Sequence, residues 1–569
     1  MRNLISKTIL FFNARWLRIS SILMGLMALL WFLIRVIPKP SRASYPCQQA
    51  AFPLASAFVI WLTGIVGSFF GLRFIANIFV KYRPVVIGFS VVTIVVMTFW
   101  LTVFPTNIVN SFAAVADSTF KPAVGFDWEP GASNKPIGNA KGIYPGRVVM
   151  SRDAKATKWA GRWNLKEDQW WLDKNTDVKR VQNMLSVTLK ELTGTKTDKE
   201  AWQNIFGYYN ETVRGLKKQG YKEGEVIALK INLNNSSETK TDNQVDASPQ
   251  MVLAMIRQLV NEAGVRQQDI LVYEARRAIF PYMLLTVWKE FKDVRFMQEN
   301  APTDKQPVNP AYGDHTGFEG ANWVEGVTYS AMKFDKARFI PKQVMDATYI
   351  INMALLKLHS YPFNYMEDGD EGQTAVTMTG KNHCGSIRGT SELHAILNSK
   401  KLGIKNAYSP LVDLAASPNL GRKTILYLLD GLYCGRKWRA YPSHFPNYPF
   451  NNKVEPYENP EWPACVLASF DGVAIQSVGL DIMYAQSKNN YETKYHNVPR
   501  ILVRENADDF LREMAQPQNA PSGTKYMQGG KPVESLGVFE HWDNDKSMRY
   551  TRNLNPKKGT GIEFIYKPI

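Results

Sequence analysis

The sequence has few cysteines and histidines, four and seven respectively in 569 residues. The cysteines Cys47, Cys384, Cys434 and Cys465 form no C-x-x-C pair. Iron–sulfur clusters and zinc ribbons usually depend on such pairs, so we expect neither framework here. Four cysteines allow three complete disulfide pairings, and buried free thiols are the alternative; the sequence leaves both open.

Acidic residues are absent from the first 104 residues, which contain ten Lys and Arg side chains. This segment supplies +10 of the net charge of +17, so residues 105–569 supply the remaining +7. That second part has no run of five like charges, the pattern typical of a nucleic-acid-binding tail. We therefore do not expect nucleic acid as a partner.

Long apolar runs are concentrated in the same N-terminal segment, at residues 19–37, 51–72 and 85–104. About twenty apolar residues span a bilayer as a helix, so residues 1–104 are predicted to be a membrane anchor of three transmembrane helices. The alternative for the first run is a cleaved signal peptide. It is disfavoured because the run is too long and no A-x-A-like cleavage site follows it.

Lys and Arg residues are concentrated before the first run and between the second and third runs. The positive-inside rule then places the N-terminus in the cytoplasm and residues 105–569 in the periplasm, with the chain anchored in a bacterial inner membrane. The lipid bilayer is therefore the first expected partner. One helix is enough to anchor an enzyme, so three helices also suggest contact with other membrane proteins.

Residues 105–224 are predicted to be a linker followed by a tryptophan-rich part of the soluble region. Trp159, Trp163, Trp170 and Trp171 lie in this window. Tryptophan clusters line some sugar-binding and aromatic sites, but they also fill hydrophobic cores. Packing is the favoured interpretation.

From residue 225 the chain alternates strand-like and helix-like segments. Apolar, β-branched strands are predicted at 226–232, 270–273, 347–355, 424–429 and 464–469, and helices at 251–263, 285–291 and 473–486. Alternation of this kind predicts an α/β core over residues 225–490, with a largely parallel sheet flanked by helices. Residues 491–569 are predicted to be a C-terminal extension packed on that core.

Polar residues follow several predicted strands, and in open α/β sheets ligands bind beyond the carboxyl ends of the strands. The candidate ligand-binding residues are Lys230, Asn232, Lys357, Lys381, Asn382 and Arg388. Their cations would neutralise a phosphate or carboxylate, and the glycine-flanked turn at 380–389 would direct backbone N–H groups towards it. The turn lacks the G-x-x-x-x-G-K-[ST] order of a nucleotide-binding loop, so ATP hydrolysis is not indicated.

A divalent metal is a second candidate ligand of the same region. The candidate metal ligands are His359, His383 and His394, with Asp430 or Asp471 as a carboxylate. Such a mixed nitrogen and oxygen set suits zinc, iron or nickel, although no two of these histidines have the i, i+4 spacing of a helical metal motif. A metal that bridges an anion would use both residue sets. The remaining interpretation is structural, with Lys381, Asn382 and His394 satisfying buried polar groups.

Five short motifs occur in a specific order over roughly residues 225–490. They are Leu229-Lys230-Ile231-Asn232-Leu233, Asp246-Ala247-Ser248-Pro249, Ile350-Ile351-Asn352 leading to Lys357-Leu358-His359, Gly380-Lys381-Asn382-His383-Cys384-Gly385 with His394 downstream, and Ala468-Ser469-Phe470-Asp471-Gly472-Val473-Ala474. With this order the chain resembles the bacterial domain of unknown function 362 family. The ending Glu540-His541-Trp542 resembles the larger, membrane-anchored and extracytoplasmic branch of that family.

The resemblance implies an α/β domain without a settled activity. Some family members are fused to ferredoxin-like iron–sulfur modules, but this chain lacks their cysteine runs, so no cluster is implied for it. It also has His383-Cys384 where the family more commonly has an apolar residue. Two classes of function stay open: a membrane-anchored periplasmic enzyme acting on a small anion, and a non-catalytic subunit of a larger inner-membrane complex.

Overall fold

The structure is a computed structural model of the 569-residue chain. It describes residues 133–162, 167–234, 236, 242–300, 318–359, 376–397, 408–435, 440–445, 447–450, 461–487, 504–557 and 559–569, together with Met27, Leu30, Trp31 and Ile34. The chain divides into two compact units, Met1–Thr119 and Phe120–Ile569.

The three predicted membrane-spanning runs lie outside the described residues, apart from those four positions in the first run. In the part of the chain that the structure describes, no helix combines the length and the apolar character needed to cross a membrane. The structure therefore leaves the predicted anchor of residues 1–104 as a prediction.

Fifteen strands are present among the described residues. They are β1 (Ile137–Gly138), β2 (Arg147–Arg152), β3 (Ile227–Lys230), β4 (Ile270–Glu274), β5 (Arg295–Gln298), β6 (Phe318–Gly320), β7 (Trp323–Glu325), β8 (Phe339–Pro341), β9 (Tyr349–Leu355), β10 (Thr424–Gly431), β11 (Cys465–Ser469), β12 (Met527–Gln528), β13 (Lys531–Pro532), β14 (Val538–Phe539) and β15 (Glu563–Pro568). Nine of them form one sheet in the order β15-β2-β11-β10-β9-β3-β4-β5-β6.

The central sheet is largely parallel, as predicted. Six of its eight neighbouring pairs are parallel, and the two antiparallel pairs both involve β11. Within this described sheet, β11 therefore runs against its eight companions. The predicted α/β fold class is confirmed for the described residues between 133 and 569.

Helices cover both faces of the sheet. The described helices are α1 (Val178–Thr193), α2 (Asp198–Thr212), α3 (Pro249–Arg257), α4 (Pro281–Trp288), α5 (Lys342–Asp346), α6 (Thr379–Asn382), α7 (Thr390–Leu397), α8 (Pro410–Ala416), α9 (Gly472–Ser487), α10 (Arg504–Ala515) and α11 (Thr551–Leu554). Helices α1–α4 contribute to the hydrophobic cluster on one face. The second cluster, on the other face, contains side chains of α5 and of α7–α10. Burial on both faces explains why the parallel strands read as continuous apolar runs.

Helix α3 begins as its sequence predicts. Ser248 precedes it and accepts a hydrogen bond from the Met251 N–H at 3.3 Å, while Pro249 occupies the first turn, where no N–H partner is needed. The helix continues as a π-helical segment, Gln258–Glu262, and Gly264 follows with a positive φ of 71°. The predicted span of 251–263 therefore covers two helical geometries.

Segments outside residues 225–490 also belong to the central sheet. Strand β2 pairs with β11 on one side and with β15 on the other, and Val149 lies opposite Ile565. The sheet edge beyond β11 is therefore built from the tryptophan-rich part and from the C-terminal extension.

Three of the four tryptophans of the predicted cluster are core residues. Trp159, Trp170 and Trp171 are buried, and Trp159 stacks on Trp462 with ring centroids 5.4 Å apart. This burial agrees with packing, whereas Trp163 lies outside the described residues.

Candidate functional site

The candidate site lies at the carboxyl ends of β3, β4 and β9, where α6 crosses the sheet. Asn352 in β9 donates to the Thr379 carbonyl at 3.1 Å. Asn382 in α6 donates to the Lys230 carbonyl at 3.1 Å and to Asn352 Oδ1 at 2.8 Å. These amide contacts fasten α6 to the end of β3 and to the middle of the neighbouring strand β9.

A buried ion pair lies directly beneath α6. Lys230 Nζ is 2.6 Å from Glu274 Oε2, 2.6 Å from the Ile231 carbonyl and 3.2 Å from Asn382 Oδ1. Burial lowers the pKa of Lys230 and raises the pKa of Glu274, while the attraction between the two charges opposes both shifts. Because an ammonium group has three protons to donate, these acceptors satisfy Lys230 within the protein.

A glycine makes room for the carboxylate of this pair. A Cβ atom on Gly385 would lie 2.3 Å from Glu274 Oε1, and the Gly385 carbonyl also accepts the Ala275 N–H at 2.9 Å. Gly385, within the turn at 380–389, is thus explained by the close approach of its backbone to the Glu274 carboxylate.

A second group of basic side chains lies beside the ion pair. We call it the lysine–histidine cluster; its members are Arg277, Lys357, His359, Lys381 and His394. Lys357 has no exposed surface and Lys381 is 5% exposed, whereas Arg277 is exposed. The rings of His359 and His394 stack at a centroid distance of 6.3 Å, and both residues are partly exposed.

The two histidines of the cluster differ in their hydrogen bonds. His394 Nδ1 lies 2.8 Å from the Thr390 carbonyl one turn earlier in α7. His359 Nδ1 is fully enclosed and has no hydrogen-bond partner among the described residues. An enclosed ring nitrogen of this kind is costly unless a ligand or solvent satisfies it.

Both imidazoles are neutral at pH 7. Burial lowers the pKa of His359 well below its ordinary value, and the positive charges of Lys381 and Lys357 add to the effect. Burial and Lys381 lower the pKa of His394 to about 4, although the bond to Thr390 opposes the shift. Burial also lowers the pKa of Lys357 to about 8, with Asp246 opposing and Lys381 reinforcing the change.

The lysine–histidine cluster is suited to hold an anion. The charged groups that shift the pKa values of the two imidazoles are cations. A neutral imidazole ring offers one donor nitrogen and one acceptor nitrogen. Phosphate and carboxylate groups match such a set of donors.

His383 and Cys384 occupy a different environment from the cluster. His383 Nδ1 lies 3.2 Å from Ser386 Oγ, which in turn lies 3.0 Å from Tyr273 Oη. His383 Nε2 is enclosed without a partner among the described residues, and burial with the nearby Lys230 charge lowers the pKa of this histidine to about 3. Burial raises the pKa of Cys384 to about 11, so it is a thiol at neutral pH.

The two aspartates of the predicted metal set have structural partners. Asp430 accepts hydrogen bonds from the Ser248 N–H at 3.0 Å, from Ser248 Oγ at 2.7 Å and from the Leu432 N–H at 3.1 Å. Asp471 accepts the N–H groups of Lys141, Val473, Ala474 and Val538 at 2.8–3.1 Å. Asp430 thus fastens the start of α3 to the sheet, and Asp471 caps α9.

The antiparallel direction of β11 separates Asp471 from the other predicted site residues. Ser469, two residues before Asp471, is paired with Tyr427, which lies three residues before Asp430. At about 3.3 Å per residue, this pairing places Asp471 at least about 10 Å from Asp430 along the strand direction. Asp471 therefore lies towards the amino ends of the parallel strands, whereas Asp430 lies at their carboxyl ends. The expected convergence of strand ends holds for β3, β4, β9 and β10 and not for β11.

The described residues do not bring the five predicted metal ligands together. His359 and His394 are neighbours, while His383, Asp430 and Asp471 have the separate surroundings given above. Among the described residues, no group of three or more His, Cys, Asp and Glu side chains is arranged to hold a metal ion. The five predicted metal ligands therefore do not form a single site in the described geometry, and metal binding stays a prediction.

The predicted ligand-binding residues also divide into groups. Lys357 and Lys381 belong to the lysine–histidine cluster, whereas Lys230 and Asn382 are engaged in the ion-pair network. Asn232 donates to Thr377 Oγ1 at 2.9 Å, and Arg388 is exposed while its N–H donates to the Phe339 carbonyl at 3.0 Å.

Three charged residues of the site were absent from the predicted set. Glu274 is the last residue of β4 and Arg277 follows three residues later, so the strand-end rule contained the signal for both. Asp246 is 1% exposed and acts on Lys357 from the loop before α3, and no local pattern pointed to that role.

The described cysteines Cys384, Cys434 and Cys465 are buried free thiols, while Cys47 lies outside the described residues.

Comparison with known proteins identifies one family. Residues 227–481 match the model of the family described as Domain of unknown function (DUF362), a span of fewer than half of the residues that includes the ion pair and the lysine–histidine cluster. The match supports the resemblance inferred from the motifs at 225–490. No curated protein and no solved structure gives a significant match.

Proposed function

We propose that the protein binds a small anion, a phosphate or a carboxylate compound, in the lysine–histidine cluster. The observation that carries this proposal is the enclosed Nδ1 of His359, which lies among positive charges and lacks a hydrogen-bond partner in the described part of the chain. A bound anion would satisfy this nitrogen and lower the repulsion between the cations.

The exposure of the cluster supports a ligand that enters from solvent. Lys357 and Lys381 are buried, whereas His359 and His394 are partly exposed. A ligand would therefore pass the imidazoles at the open side and reach the lysines at the closed side. Such an arrangement suits one anionic group of a small molecule better than an extended polyanion.

A divalent metal is the second candidate ligand. Stacked, neutral His359 and His394 offer two imidazoles, which is the form that metals bind. Nearby Lys381 and Arg277 repel a bare cation, so a metal would need an anion as its bridging ligand. Elemental analysis of gently purified protein tests this candidate, and a metal-free preparation that still binds anions would rule it out.

We further propose that the soluble part faces the periplasm of a bacterial inner membrane. The apolar runs and the distribution of Lys and Arg in residues 1–104 support this location. Protease added to intact spheroplasts should then digest residues 105–569. Full protection of the soluble part until the membrane is lysed would contradict the proposed topology.

The three predicted membrane helices are also compatible with a non-catalytic role. An accessory subunit of an inner-membrane complex would co-purify with its partners at a fixed ratio after mild detergent extraction. The same extraction without co-eluting chains would favour a protein that acts alone. The anion site is compatible with either role.

Calorimetric titration of the full-length protein with inorganic phosphate, sulfate and pyruvate tests the anion site. Lys381→Met should weaken binding about tenfold or more, since a hydrogen bond to a charged group contributes roughly 1.5–3 kcal/mol. Lys217→Met, at an exposed lysine of the loop after α2, is the matched control and should bind like the unaltered protein. Absence of binding for all three anions, or equal affinities in Lys381→Met and the control, would reject the proposal.

A further inference from the structure

A group of sulfur atoms lies on the α9 side of the central sheet. Cys434, Cys465 and Met483 belong to the same hydrophobic cluster, and each is at most 1% exposed. Cys434 Sγ donates to Met483 Sδ at 3.5 Å and lies 3.8 Å from the Gly435 carbonyl. Met483 is carried by α9, which packs against β10 and β11. We call these three residues the sulfur cluster, and none of them belongs to the lysine–histidine cluster.

The pairing of β10 with β11 positions Cys465 near this contact. Cys465 lies opposite Gly431, the last residue of β10, and Cys434 follows three residues later. A Cβ atom on Gly431 would lie 2.6 Å from Cys465 Sγ, so the glycine leaves space for the sulfur. Burial is the main cause of the raised pKa of Cys465, Arg152 opposes it, and Cys434 adds to it. The two thiols therefore lie close enough to act on each other.

The contact between Cys434 and Met483 has the spacing of two ligands of one metal ion. At a metal–sulfur distance of about 2.3 Å, sulfur atoms separated by 3.5 Å subtend an angle of about 100° at the metal. Thiolate and thioether groups are soft donors, which favour Cu(I) over harder ions. Zinc is held instead by thiolates, imidazoles and carboxylates, so the thioether distinguishes the two metals.

We propose that the sulfur cluster binds one Cu(I) ion. Cys434 and Met483 are two of its ligands, and Cys465 completes a three-coordinate site. This site is separate from the anion site and from the histidines considered for a divalent metal. It gives the protein a second ligand of a different chemical class, a soft monovalent cation.

Binding exchanges protons for the metal without a change of oxidation state. Each thiol releases its proton to solvent as its sulfur bonds to Cu(I), and the thioether binds as a neutral donor. The complex of one Cu(I) with two thiolates then carries a single negative charge. Burial lowers the pKa of Lys357 to about 8, and Asp246 and Cys434 oppose that shift, so Lys357 lies within electrostatic range of this sulfur. Its ammonium group would balance the charge of the complex.

Competition with a Cu(I) chelator tests this inference on the full-length protein. Reduced protein is titrated into the coloured Cu(I) complex of bathocuproine disulfonate, and the loss of colour measures the transfer of copper. We expect one Cu(I) to be transferred to each chain. X-ray absorption of the loaded protein should then show only sulfur atoms as neighbours of the copper.

Two variants remove one ligand each. Loss of an outer-shell partner already lowers metal affinity about 10–100-fold, so Cys434→Ser and Met483→Leu should each weaken Cu(I) binding at least about tenfold. Met483→Leu keeps the apolar character and nearly the volume of the side chain, so it provides the test if Cys434→Ser does not fold. Cys384→Ser is the matched control at another buried thiol and should bind Cu(I) like the unaltered protein.

Three results would each overturn the inference. They are the absence of transfer to the unaltered protein, nitrogen or oxygen neighbours around the bound copper, and undiminished binding in Met483→Leu. Equal losses of affinity in Cys384→Ser and Met483→Leu would also contradict it, because the copper would then not distinguish the sulfur cluster from other buried sulfur atoms.

Discussion

His541 and Asp481 form a buried ion pair, in which Nδ1 of the imidazole lies 2.7 Å from Oδ1 of the carboxylate. Asp508 lies on the other side of the ring, 2.8 Å from Nε2. The pair joins the C-terminal extension to α9, and Asp508 joins it to α10. Although burial lowers the pKa of His541, the two carboxylates outweigh it and raise the pKa to about 9.

This pair predicts a stability that falls at alkaline pH. The folded pKa of about 9 lies above the unfolded value of about 6.5, so the stabilisation is complete below pH 6.5 and is lost as pH rises through 9. The shift corresponds to roughly 3 kcal/mol in the free energy of unfolding. Urea unfolding of the full-length protein at pH 6 and pH 9.5 measures the difference.

His541→Gln is the informative variant for this prediction. It removes the titrating group, so it should be less stable at pH 6 and should lose most of the difference between the two pH values. An unchanged difference in His541→Gln would assign the alkaline loss of stability to other groups.

Much of the central sheet could be predicted from the sequence because its strands are buried on both faces. Strands β3, β4, β9 and β10 have continuous apolar runs, and each begins or ends within two residues of its predicted boundary. The direction of β11 could not be predicted in the same way. A five-residue apolar strand has no feature that records whether its neighbour runs parallel or antiparallel.

The location of the site could be predicted from the sequence, but the different roles of its residues could not. Lys230 is the last residue of β3 and Lys357 follows β9 by two residues, so a strand-end rule treats them alike. The ion pair of Lys230 with Glu274 depends on Gly385, which leaves room for the carboxylate. Such a tertiary contact joins residues far apart in the chain and leaves no local pattern.

Anion binding should be coupled to proton uptake. Burial and Lys381 hold the pKa of His394 at about 4 in the free protein, and a bound anion would favour the imidazolium and raise that pKa. Affinity for sulfate, whose charge is constant above pH 4, should therefore increase as pH falls from 8 to 5. Calorimetry in two buffers with different ionisation enthalpies measures the protons taken up.

His394→Gln should reduce this coupling without changing the charge at pH 8. Lys217→Met again serves as the control, since it alters a charge away from the site. A sulfate affinity that is independent of pH in the unaltered protein would contradict the role given to the imidazole.

The Lys230–Glu274 pair should show strong coupling in a double-mutant cycle. Removing one partner leaves an uncompensated buried charge, so Lys230→Met and Glu274→Gln should each lower the free energy of unfolding by about 3–5 kcal/mol. The double variant Lys230→Met/Glu274→Gln should cost much less than the sum of the two. Urea unfolding of the four proteins measures the coupling energy.

The exposed pair Lys342–Asp346 provides the comparison for that cycle. Its atoms approach to 2.5 Å across one helical turn, but both side chains are at least half exposed. Pairs of this kind contribute about 0.3–0.5 kcal/mol. Similar coupling energies for the two pairs would mean that the Lys230–Glu274 site is far more hydrated than its burial implies.

Gly385→Ala tests the space beneath α6. The added Cβ would lie 2.3 Å from Glu274 Oε1 and 2.4 Å from Oε2, so the carboxylate has to move away from Lys230. Because that movement strains the packing and weakens a buried ion pair, the variant should be destabilised by roughly 1–3 kcal/mol or more. Gly220→Ala is the matched control, since a Cβ there meets no atom within 4 Å. If Gly385→Ala lost no more stability than the control, Glu274 would have an equally good position elsewhere, and the link between this glycine and the ion pair would be wrong.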